Sequence, residues 1–322
     1  MSLLATRSAT RRARSAAEFG KVAVLLGGDS TERDISLLSG HAVLAGLVRR
    51  GVDAHAFDPK ERPVQNLKSE GFDRAWIALH GPGGEDGTMQ GALEWLGIPY
   101  TGSGVLASAL TMDKLKTKRV VVGAGYAAPD YAVLSSPADL QRALERIGLP
   151  LMVKPASQGS SVGMTKVKTA AELPRAYAEA RAVDPIVFAE AFITGDEYTV
   201  GVLQTQALPS IRIQPATEFY DYQAKYFRND TLYHCPSGLD AAAEAELQAA
   251  ALAAFQVTDC AGWGRVDFMR DRATEIFQFI EINTTPGMTD HSLVPMAARQ
   301  SGIDFDELVW RVLESSFLRE RK

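Results

Sequence analysis

The chain has 322 residues, of which 46% are apolar and 23% are charged, as in an ordinary globular protein. With 39 acidic and 34 basic residues it carries a net charge of −5, which argues against a general nucleic-acid binder because phosphate requires a basic face. Two cysteines indicate a reducing compartment, and no apolar run approaches the ~18 residues that span a bilayer. We therefore expect a cytoplasmic protein of two or three domains with no membrane or nucleic-acid partner.

Residues 1–20 differ in composition from the rest of the chain. They contain four arginines among Ser, Thr and Ala, and a single acid, Glu18. This composition is typical of an organellar transit peptide, or of a short flexible tail that adds nothing to the fold. We expect the tail and leave these residues out of the predicted fold.

Strand and helix patterns alternate from residue 21 to residue 112. Apolar runs predict buried strands at 22–26, 52–57 and 75–79. Thr31 followed by Asp34 resembles a capping box at the start of the first helix. Alternating strands and helices predict a parallel α/β domain, which we place at 21–115.

The rest of the chain has a different pattern, with antiparallel strands mixed with helices. A central domain is predicted at 116–206 and a C-terminal domain at 207–322. The C-terminal part contains an alanine-rich helix near 240–258 and two long strands, at 264–270 and 275–283. The predicted fold class is therefore α/β in the first domain and α+β in the other two.

The two long strands carry a cluster of oxygen ligands. Residues alternate faces along a strand, so Arg265 shares a face with Asp267, and Glu281 shares a face with Asn283. A hairpin centred near Thr274 places Asp267 roughly opposite Glu281. Carboxylate and amide oxygens suit Mg²⁺, which predicts a metal site; the alternative is a solvated face with surface acids.

The segment 153–163 has the composition of a phosphate-binding loop. Lys154 ends a strand, and a loop of small residues with two serines follows. Backbone N–H groups of such a loop can converge on phosphate oxygens while the lysine supplies positive charge. The alternative is an ordinary hairpin loop, since the Walker A pattern is absent.

Two glycine-containing loops follow predicted strands of the first domain. One covers 27–32 and the other, which begins with His80, covers 80–87. Ligands of open α/β sheets bind at the carboxyl ends of strands, so both loops lie where a substrate is expected.

Taken in order, seven segments resemble D-alanine–D-alanine ligases of the ATP-grasp superfamily. They are GGDSTERDISLLSG (27–40), HGPGGEDGTMQG (80–91), MDKLKTK (112–118), VKPASQGSSVGM (153–164), FYDYQAKY (219–226), GWGRVDF (262–268) and EINTTPGMTDHSLVP (281–295). The resemblance implies a three-domain ATP-grasp architecture in which an N-terminal parallel α/β domain precedes two domains that hold ATP. It also implies two Mg²⁺ ions, for which Mn²⁺ can substitute, and a homodimer.

The implied reaction joins two D-alanines to make a precursor of peptidoglycan. ATP phosphorylates the carboxylate of the first D-alanine, and the amine of the second then displaces phosphate through a tetrahedral intermediate. Charge neutralisation and positioning, rather than a covalent nucleophile, catalyse such a phosphoryl transfer.

The resemblance also assigns roles to individual residues. Those implied to bind ATP are Lys114, Lys154, Glu190, Glu197 and Lys225, and those implied to bind the metals are Asp267, Glu281 and Asn283. Arg265 and the backbone N–H of Gly287 are implied to stabilise the tetrahedral oxyanion. Glu32 is implied to bind the first D-alanine in a set with Ser160 and Tyr226. His80, Ser292 and Leu293 are implied to contact the second D-alanine.

Three other functions remain to be weighed. A ligase that joins D-alanine to D-lactate is disfavoured by Tyr226, because within the family a phenylalanine there goes with D-lactate. A nucleotide-binding module without catalysis is disfavoured because Arg265 and the three metal-ligand candidates are all present. A dinucleotide-dependent oxidoreductase lacks its G-x-G-x-x-G loop.

Overall fold

A computed structural model of the chain describes residues 11–159, 162–215 and 230–320. Its first domain is built on a parallel sheet of order β2-β1-β3, which confirms the predicted parallel α/β domain. The elements are β1 (Lys21–Leu25), α1 (Arg33–Arg49), β2 (Asp53–Phe57), α2 (Asn66–Ser69), β3 (Arg74–Ile77), α3 (Thr88–Leu96) and α4 (Val105–Met112). The predicted capping box is not formed, since Glu32 is the N-cap of α1 and no side chain caps it.

The central part contains an antiparallel sheet of order β4-β7-β5-β6. Its elements, with the helix that precedes them, are α5 (Lys114–Gly123), β4 (Tyr131–Leu134), α6 (Asp139–Ile147), β5 (Leu151–Pro155), β6 (Thr165–Val167), a 3₁₀ turn (Ala170–Glu172), α7 (Leu173–Val183) and β7 (Val187–Ala191). Pro174 lies in the first turn of α7, where its missing N–H leaves no hydrogen bond unmade. Antiparallel pairing in this part agrees with the predicted α+β class.

The third sheet has the order β11-β10-β8-β12-β13 among the described residues, with β9 paired to β8. Its elements and those that follow are β8 (Gly195–Leu203), β9 (Gln206–Ala207), β10 (Ile211–Gln214), β11 (Leu232–His234), α8 (Ala241–Val257), β12 (Trp263–Asp271), β13 (Phe277–Asn283), α9 (Leu293–Gln300), α10 (Phe305–Glu314) and a 3₁₀ turn (Ser315–Arg319). Because β8 pairs with β12 along its whole length, the third sheet begins at residue 195, inside the range predicted for the central domain.

One apolar core joins the first and third sheets. Trp76 of β3 and Trp263 of β12 pack with ring centroids 5.3 Å apart, and both side chains are fully buried. This packing fixes the carboxyl ends of β1 and β3 beside the segment that follows β13, where the site lies. None of the helices in the described part of the chain has the length and apolarity to cross a membrane.

The segment 11–20 is packed against the C-terminal helices, which differs from the flexible tail expected for it. Phe19 is fully buried, edge-on to Trp310 at 4.9 Å and stacked on Phe317 at 5.3 Å. The backbone N–H of Ala13 donates to Glu314 at 3.0 Å. Arg12 also pairs with Glu314 at 3.1 Å, and Arg74 Nε donates to the carbonyl of Phe19 at 3.0 Å. Aromatic packing and ion pairs to distant residues therefore anchor this segment despite its arginine-rich composition.

Truncating Phe19 therefore tests whether the segment belongs to the fold. We expect Phe19→Ala to lower the free energy of unfolding by about 3–5 kcal/mol, the usual cost of removing a buried phenylalanine. Urea unfolding followed by fluorescence measures the change. Arg14→Ala, at an exposed position in the same segment, is the matched control. Equal stability of the two variants would show that the segment is not part of the fold.

Candidate active site

A cavity of about 730 Å³ lies between the carboxyl ends of β1 and β3 and the end of the β12–β13 hairpin. Every described residue that was predicted to bind D-alanine or to stabilise the oxyanion lines it: Glu32, His80, Arg265, Gly287, Ser292 and Leu293. These residues come from the first and third domains. The packing of the first sheet on the third is therefore what brings them together.

A second cavity, of about 450 Å³, lies between the central and third sheets. Lys154, Glu190 and Glu197, all predicted to bind ATP, line it. Lys114 and Glu281 line both cavities. The two cavities therefore adjoin at Lys114 and Glu281. A molecule bound in one cavity can reach a molecule bound in the other at this junction.

Asp267, the buried carboxylate of the hairpin, accepts hydrogen bonds on both oxygens. Oδ1 accepts from Thr199 Oγ1 at 2.6 Å and from Arg265 Nε at 2.9 Å. Oδ2 accepts from Arg265 Nη2 at 2.8 Å and from Asn283 Nδ2 at 3.1 Å. This bidentate ion pair fixes the plane of the Arg265 guanidinium, and Arg265 therefore lines the larger cavity in a defined orientation.

The predicted metal ligands are adjacent, as the hairpin pattern predicted. Asp267 pairs directly with Glu281 across the two strands, and Arg265 pairs with Asn283. Two carboxylates and one amide are an oxygen-only donor set, which fits Mg²⁺. Among the described residues no group of three His, Cys, Asp or Glu side chains is placed to hold a metal ion, so the metal role of Asp267, Glu281 and Asn283 stays a prediction.

Cations balance both carboxylates of this set, which the sequence pattern did not indicate. Arg265 pairs with Asp267, and Lys114 Nζ lies 3.1 Å from Glu281 Oε2. The Nδ2 atom of Asn283 donates a hydrogen bond to Asp267. Rotation of that amide would turn its oxygen towards the same side as the carboxylates.

His80 is held by hydrogen bonds on both ring nitrogens. Nδ1 lies 2.9 Å from the carbonyl oxygen of Thr285, and Nε2 lies 3.2 Å from Ser39 Oγ, which also accepts from the N–H of Met288. A neutral ring with its proton on Nδ1 satisfies all three bonds. Burial and the nearby Arg265 lower the pKa of His80, against the opposing charge of Glu32 and the bond to Thr285. His80 therefore fixes the segment that contains Gly287.

Two glycines leave room for Glu32, the N-cap residue of α1. A Cβ atom on Gly81 would come within 2.8 Å of Glu32 Oε2, and one on Gly159 within 3.1 Å. Gly81 also has a positive φ of 70°, which a residue with a side chain rarely adopts. The carboxylate of Glu32 thus lies where the loop after β3 meets the loop after β5.

A second carboxylate in this region, Glu85, was missed by the sequence analysis. Its Oε2 accepts the N–H of Gly81 at 2.8 Å. Burial, reinforced by the negative charge of Glu32, raises the pKa of Glu85 to about 7. The signal available in the sequence was its place in the glycine-rich loop after β3, a loop that the pattern identified only as a whole.

Gly287 and Ser292 lie in close contact at the start of α9. A Cβ atom on Gly287 would come within 2.9 Å of Ser292 Oγ, which accepts from the N–H of Thr289 at 2.8 Å. A side chain at position 287 would therefore displace the turn that leads into α9. Gly287 itself lines the larger cavity.

The described part of the predicted phosphate loop is anchored on two sides. Asp184, a buried carboxylate after α7, accepts from the N–H of Ser157 at 2.6 Å and from the N–H of Ile186 at 2.8 Å. Lys114 Nζ donates to the carbonyl of Gln158 at 2.8 Å. Ser160, Lys225 and Tyr226, all singled out by sequence, lie outside the described residues.

Comparison with known proteins identifies the family of this chain. Residues 52–103 match the family described as D-ala D-ala ligase N-terminus, and residues 121–314 match D-ala D-ala ligase C-terminus. The D-alanine–D-alanine ligase of Dechloromonas aromatica is 58% identical over 296 residues, which cover 92% of this chain and 97% of that protein.

Solved structures are similar over nearly the whole chain. The D-alanine–D-alanine ligase of Bacillus anthracis complexed with ATP has a TM-score of 0.82 and 33% identity, covering 93% of this chain and 98% of that one. The VanG D-Ala:D-Ser ligase of Enterococcus faecalis has a TM-score of 0.79 and 30% identity, covering 92% and 99%.

The fold is thus the ATP-grasp fold of ADP-forming ligases, with its two cavities meeting at Lys114 and Glu281. The chain belongs to the D-alanine–D-alanine ligase family.

Proposed function

We propose that the chain is an ATP-dependent ligase that joins two D-alanines to D-alanyl-D-alanine and releases ADP and phosphate. The observation that carries this function is the junction of the two cavities at Lys114 and Glu281. A nucleotide in the smaller cavity would present its last phosphate there to a carboxylate held in the larger one. Membership of the family supports the same reaction.

In the first step the carboxylate of D-alanine attacks the γ-phosphorus of ATP and ADP leaves. Lys114 and Lys154 supply positive charge along the phosphates, as they do now to two glutamates. Asp267, Glu281 and Asn283 would hold two Mg²⁺ ions, or Mn²⁺ in their place. When bound, the ions neutralise the phosphate charge that otherwise repels the attacking carboxylate. Lys225 is proposed to contact the transferred phosphate.

In the second step the amine of the other D-alanine attacks the carbonyl carbon of D-alanyl phosphate. The attack forms the C–N bond and places a full negative charge on the carbonyl oxygen of the tetrahedral intermediate. The carbonyl then re-forms as the C–O bond to phosphate breaks, phosphate leaves, and the attacking nitrogen loses one proton to become the amide. Arg265 and the N–H of Gly287 both line the larger cavity and are proposed to donate to that oxygen. Because Asp267 and the His80 network hold these donors in place, little reorganisation accompanies the charge.

Different residues of the larger cavity are proposed to bind the two D-alanines. Glu32 would bind the ammonium of the first D-alanine, in a set with Ser160 and Tyr226. His80, Ser292 and Leu293 would contact the second D-alanine. Tyr226 is the reason for preferring D-alanine over D-lactate as the second substrate.

Measuring ADP release tests this function. We expect ADP release with magnesium, ATP and D-alanine, none with L-alanine, and D-alanyl-D-alanine as the product identified by mass spectrometry. A mixed product when D-lactate or D-serine is added would keep the ligase reaction but contradict the assigned specificity. Nucleotide binding without turnover on any of these substrates would contradict the function itself.

In the cell we propose a cytoplasmic enzyme that acts in peptidoglycan precursor synthesis, as a homodimer. An exposed apolar patch supports the dimer: Trp95 of α3 is 91% exposed and Leu106 of α4 is 66% exposed. Gly91, one turn before Trp95, faces Val105, so the two helices present one surface. Apolar patches of this kind mark protein interfaces.

Disrupting that patch should separate the protomers. We expect Trp95→Glu to convert a dimer into a monomer in sedimentation velocity, because an unpaired carboxylate buried in an apolar interface is costly. Ile276→Glu, an exposed apolar residue on the β12–β13 turn, should remain dimeric. A monomeric unsubstituted protein would overturn the assignment.

A further inference from the structure

A fully buried lysine lies behind the wall of the smaller cavity. Lys118 has no exposed surface, and its Nζ lies 2.9 Å from Glu190 Oε2. The other oxygen of that carboxylate, Oε1, is paired with Lys154. One buried carboxylate is therefore shared by two ammonium groups, which leaves one positive charge in excess.

The three side chains come from different elements and differ in their access to the cavity. Lys118 lies on α5, Glu190 on β7 and Lys154 on β5. Glu190 and Lys154 line the smaller cavity, whereas Lys118 does not. Lys118 is also one turn after Lys114, which pairs with Glu281, so one face of α5 supplies cations to both glutamates.

The surroundings of this cluster make its charges strongly coupled. Leu115, Ala156 and Phe188 form a buried apolar cluster between α5 and the central sheet. Burial lowers the pKa of Lys118 although Glu190 opposes the change. Burial by itself raises the pKa of Glu190, but the charges of Lys118 and Lys154 outweigh it and hold that pKa below its ordinary value. Burying a lysine costs free energy even when it is paired, because desolvation offsets much of the attraction, so a buried pair such as Lys118–Glu190 is not explained by stability alone.

We propose that Lys118 is a positioning residue for nucleotide binding: it holds the carboxylate of Glu190 from behind and balances its charge. Lys154 is then not needed as the only counter-ion and is free to turn towards the nucleotide. Without Lys118, Lys154 would be the sole partner of a buried carboxylate and would stay bound to it. Since it assumes that the smaller cavity holds ATP, this role of Lys118 rests on the proposed ligase function.

Removing the charge of Lys118 is expected to weaken nucleotide binding and to leave D-alanine binding unchanged. Lys118→Met removes the ammonium group and keeps an unbranched apolar side chain that is one atom shorter. We expect the dissociation constant of the magnesium complex of a non-hydrolysable ATP analogue to rise about tenfold, within the range for residues of one ion-pair network. The KM for ATP should rise by a similar factor while the KM for D-alanine stays unchanged, because its contacts line the other cavity.

Lys116→Met is the matched control. Lys116 lies on the same helix, its side chain is 59% exposed, and it pairs with Asp113, three residues before it. Binding of the ATP analogue should be unchanged in this variant. Equal weakening by both substitutions would show that any lost charge on α5 matters and would overturn the specific role of Lys118.

A double-mutant cycle with Glu190→Gln separates positioning from packing. If Lys118 acts through Glu190, adding Lys118→Met to Glu190→Gln should weaken binding of the ATP analogue no further. The same tenfold loss in both backgrounds would mean that Lys118 acts by packing alone. Should Lys118→Met by itself not fold, the comparison of Glu190→Gln with the double variant still decides the matter.

Failure of the proposed function is distinguishable from failure of this role. Calorimetric titration with the ATP analogue needs no D-alanine and no turnover. An unsubstituted protein that binds the analogue but releases no ADP with D-alanine would contradict the ligase function and leave the Lys118 comparison intact. An unsubstituted protein that does not bind the analogue would contradict both.

Discussion

Replacement of Arg265 by lysine is expected to lower kcat by about 100- to 1000-fold, the usual cost of losing one oxyanion donor. Lysine keeps a positive charge beside Asp267. It lacks the planar guanidinium, which donates to both oxygens of Asp267 and has a further N–H group left for the cavity. The loss should appear in kcat rather than in the KM for ATP, because the oxyanion forms only after phosphoryl transfer.

Arg270→Lys is the control for this substitution. Arg270 lies on the same strand but pairs with Glu275 at the far end of the hairpin, 3.6 Å away, so its replacement should leave kcat unchanged. Urea unfolding of both variants separates a catalytic loss from a folding defect. A kcat for Arg265→Lys within a few-fold of the unsubstituted enzyme would mean that other donors stabilise the oxyanion.

Replacement of Glu281 by glutamine is expected to have the second-largest effect. Glutamine has the same shape but one oxygen ligand and no charge. The Mg²⁺ concentration needed for half-maximal activity should therefore rise by about 100-fold, since even the loss of a residue that only supports a metal ligand costs about 10- to 100-fold. Lys114 would also lose its counter-ion at the junction of the two cavities.

Titration of activity with magnesium measures this effect. Glu275→Gln, an exposed carboxylate on the same hairpin, should give the titration curve of the unsubstituted enzyme. Indistinguishable curves for Glu281→Gln and Glu275→Gln would remove Glu281 from the proposed metal site. Lower activity at saturating magnesium, with no shift of the curve, would assign Glu281 to binding of phosphate through Lys114 instead.

The hairpin shows what the sequence could predict. Alternation of faces along two apolar strands, with a turn between them, was enough to place Asp267 opposite Glu281, and the strand register confirms that placement. The same alternation put Arg265 on the face of Asp267. It could not predict the bidentate ion pair, which depends on the side-chain conformation that brings the Arg265 guanidinium onto the Asp267 carboxylate of the same strand.

Lys118 and Phe19 show where sequence patterns give no guidance. A lysine on a helix is ordinarily exposed, and only the approach of α5 to β7 reveals that Lys118 is buried against Glu190. Phe19 follows an arginine-rich segment whose composition predicted a flexible tail, yet its ring packs against Trp310, far away in the chain. Both contacts join distant parts of the sequence, and no local period encodes them.

Tertiary packing also explains why the sequence pattern placed β8 in the central domain although β8 belongs to the third sheet. β8 follows β7 after a short turn and has the same apolar composition, so the two strands look like neighbours of one sheet. Their partners differ, since β7 pairs with β5 while β8 pairs with β12. Pairing partners are set by tertiary packing, which composition does not report.

Transfer of a labelled carboxylate oxygen to phosphate is the most direct test of the claim that the reaction passes through D-alanyl phosphate. D-Alanine carrying a heavy oxygen isotope in its carboxylate is incubated with ATP and magnesium, and the released phosphate is analysed by mass spectrometry. If D-alanyl phosphate forms, one carboxylate oxygen becomes the bridge to phosphorus and leaves with phosphate, so one labelled oxygen should appear in phosphate for each dipeptide made. Dipeptide formation with unlabelled phosphate would contradict the acyl-phosphate route, and label in phosphate without dipeptide would contradict the ligation step.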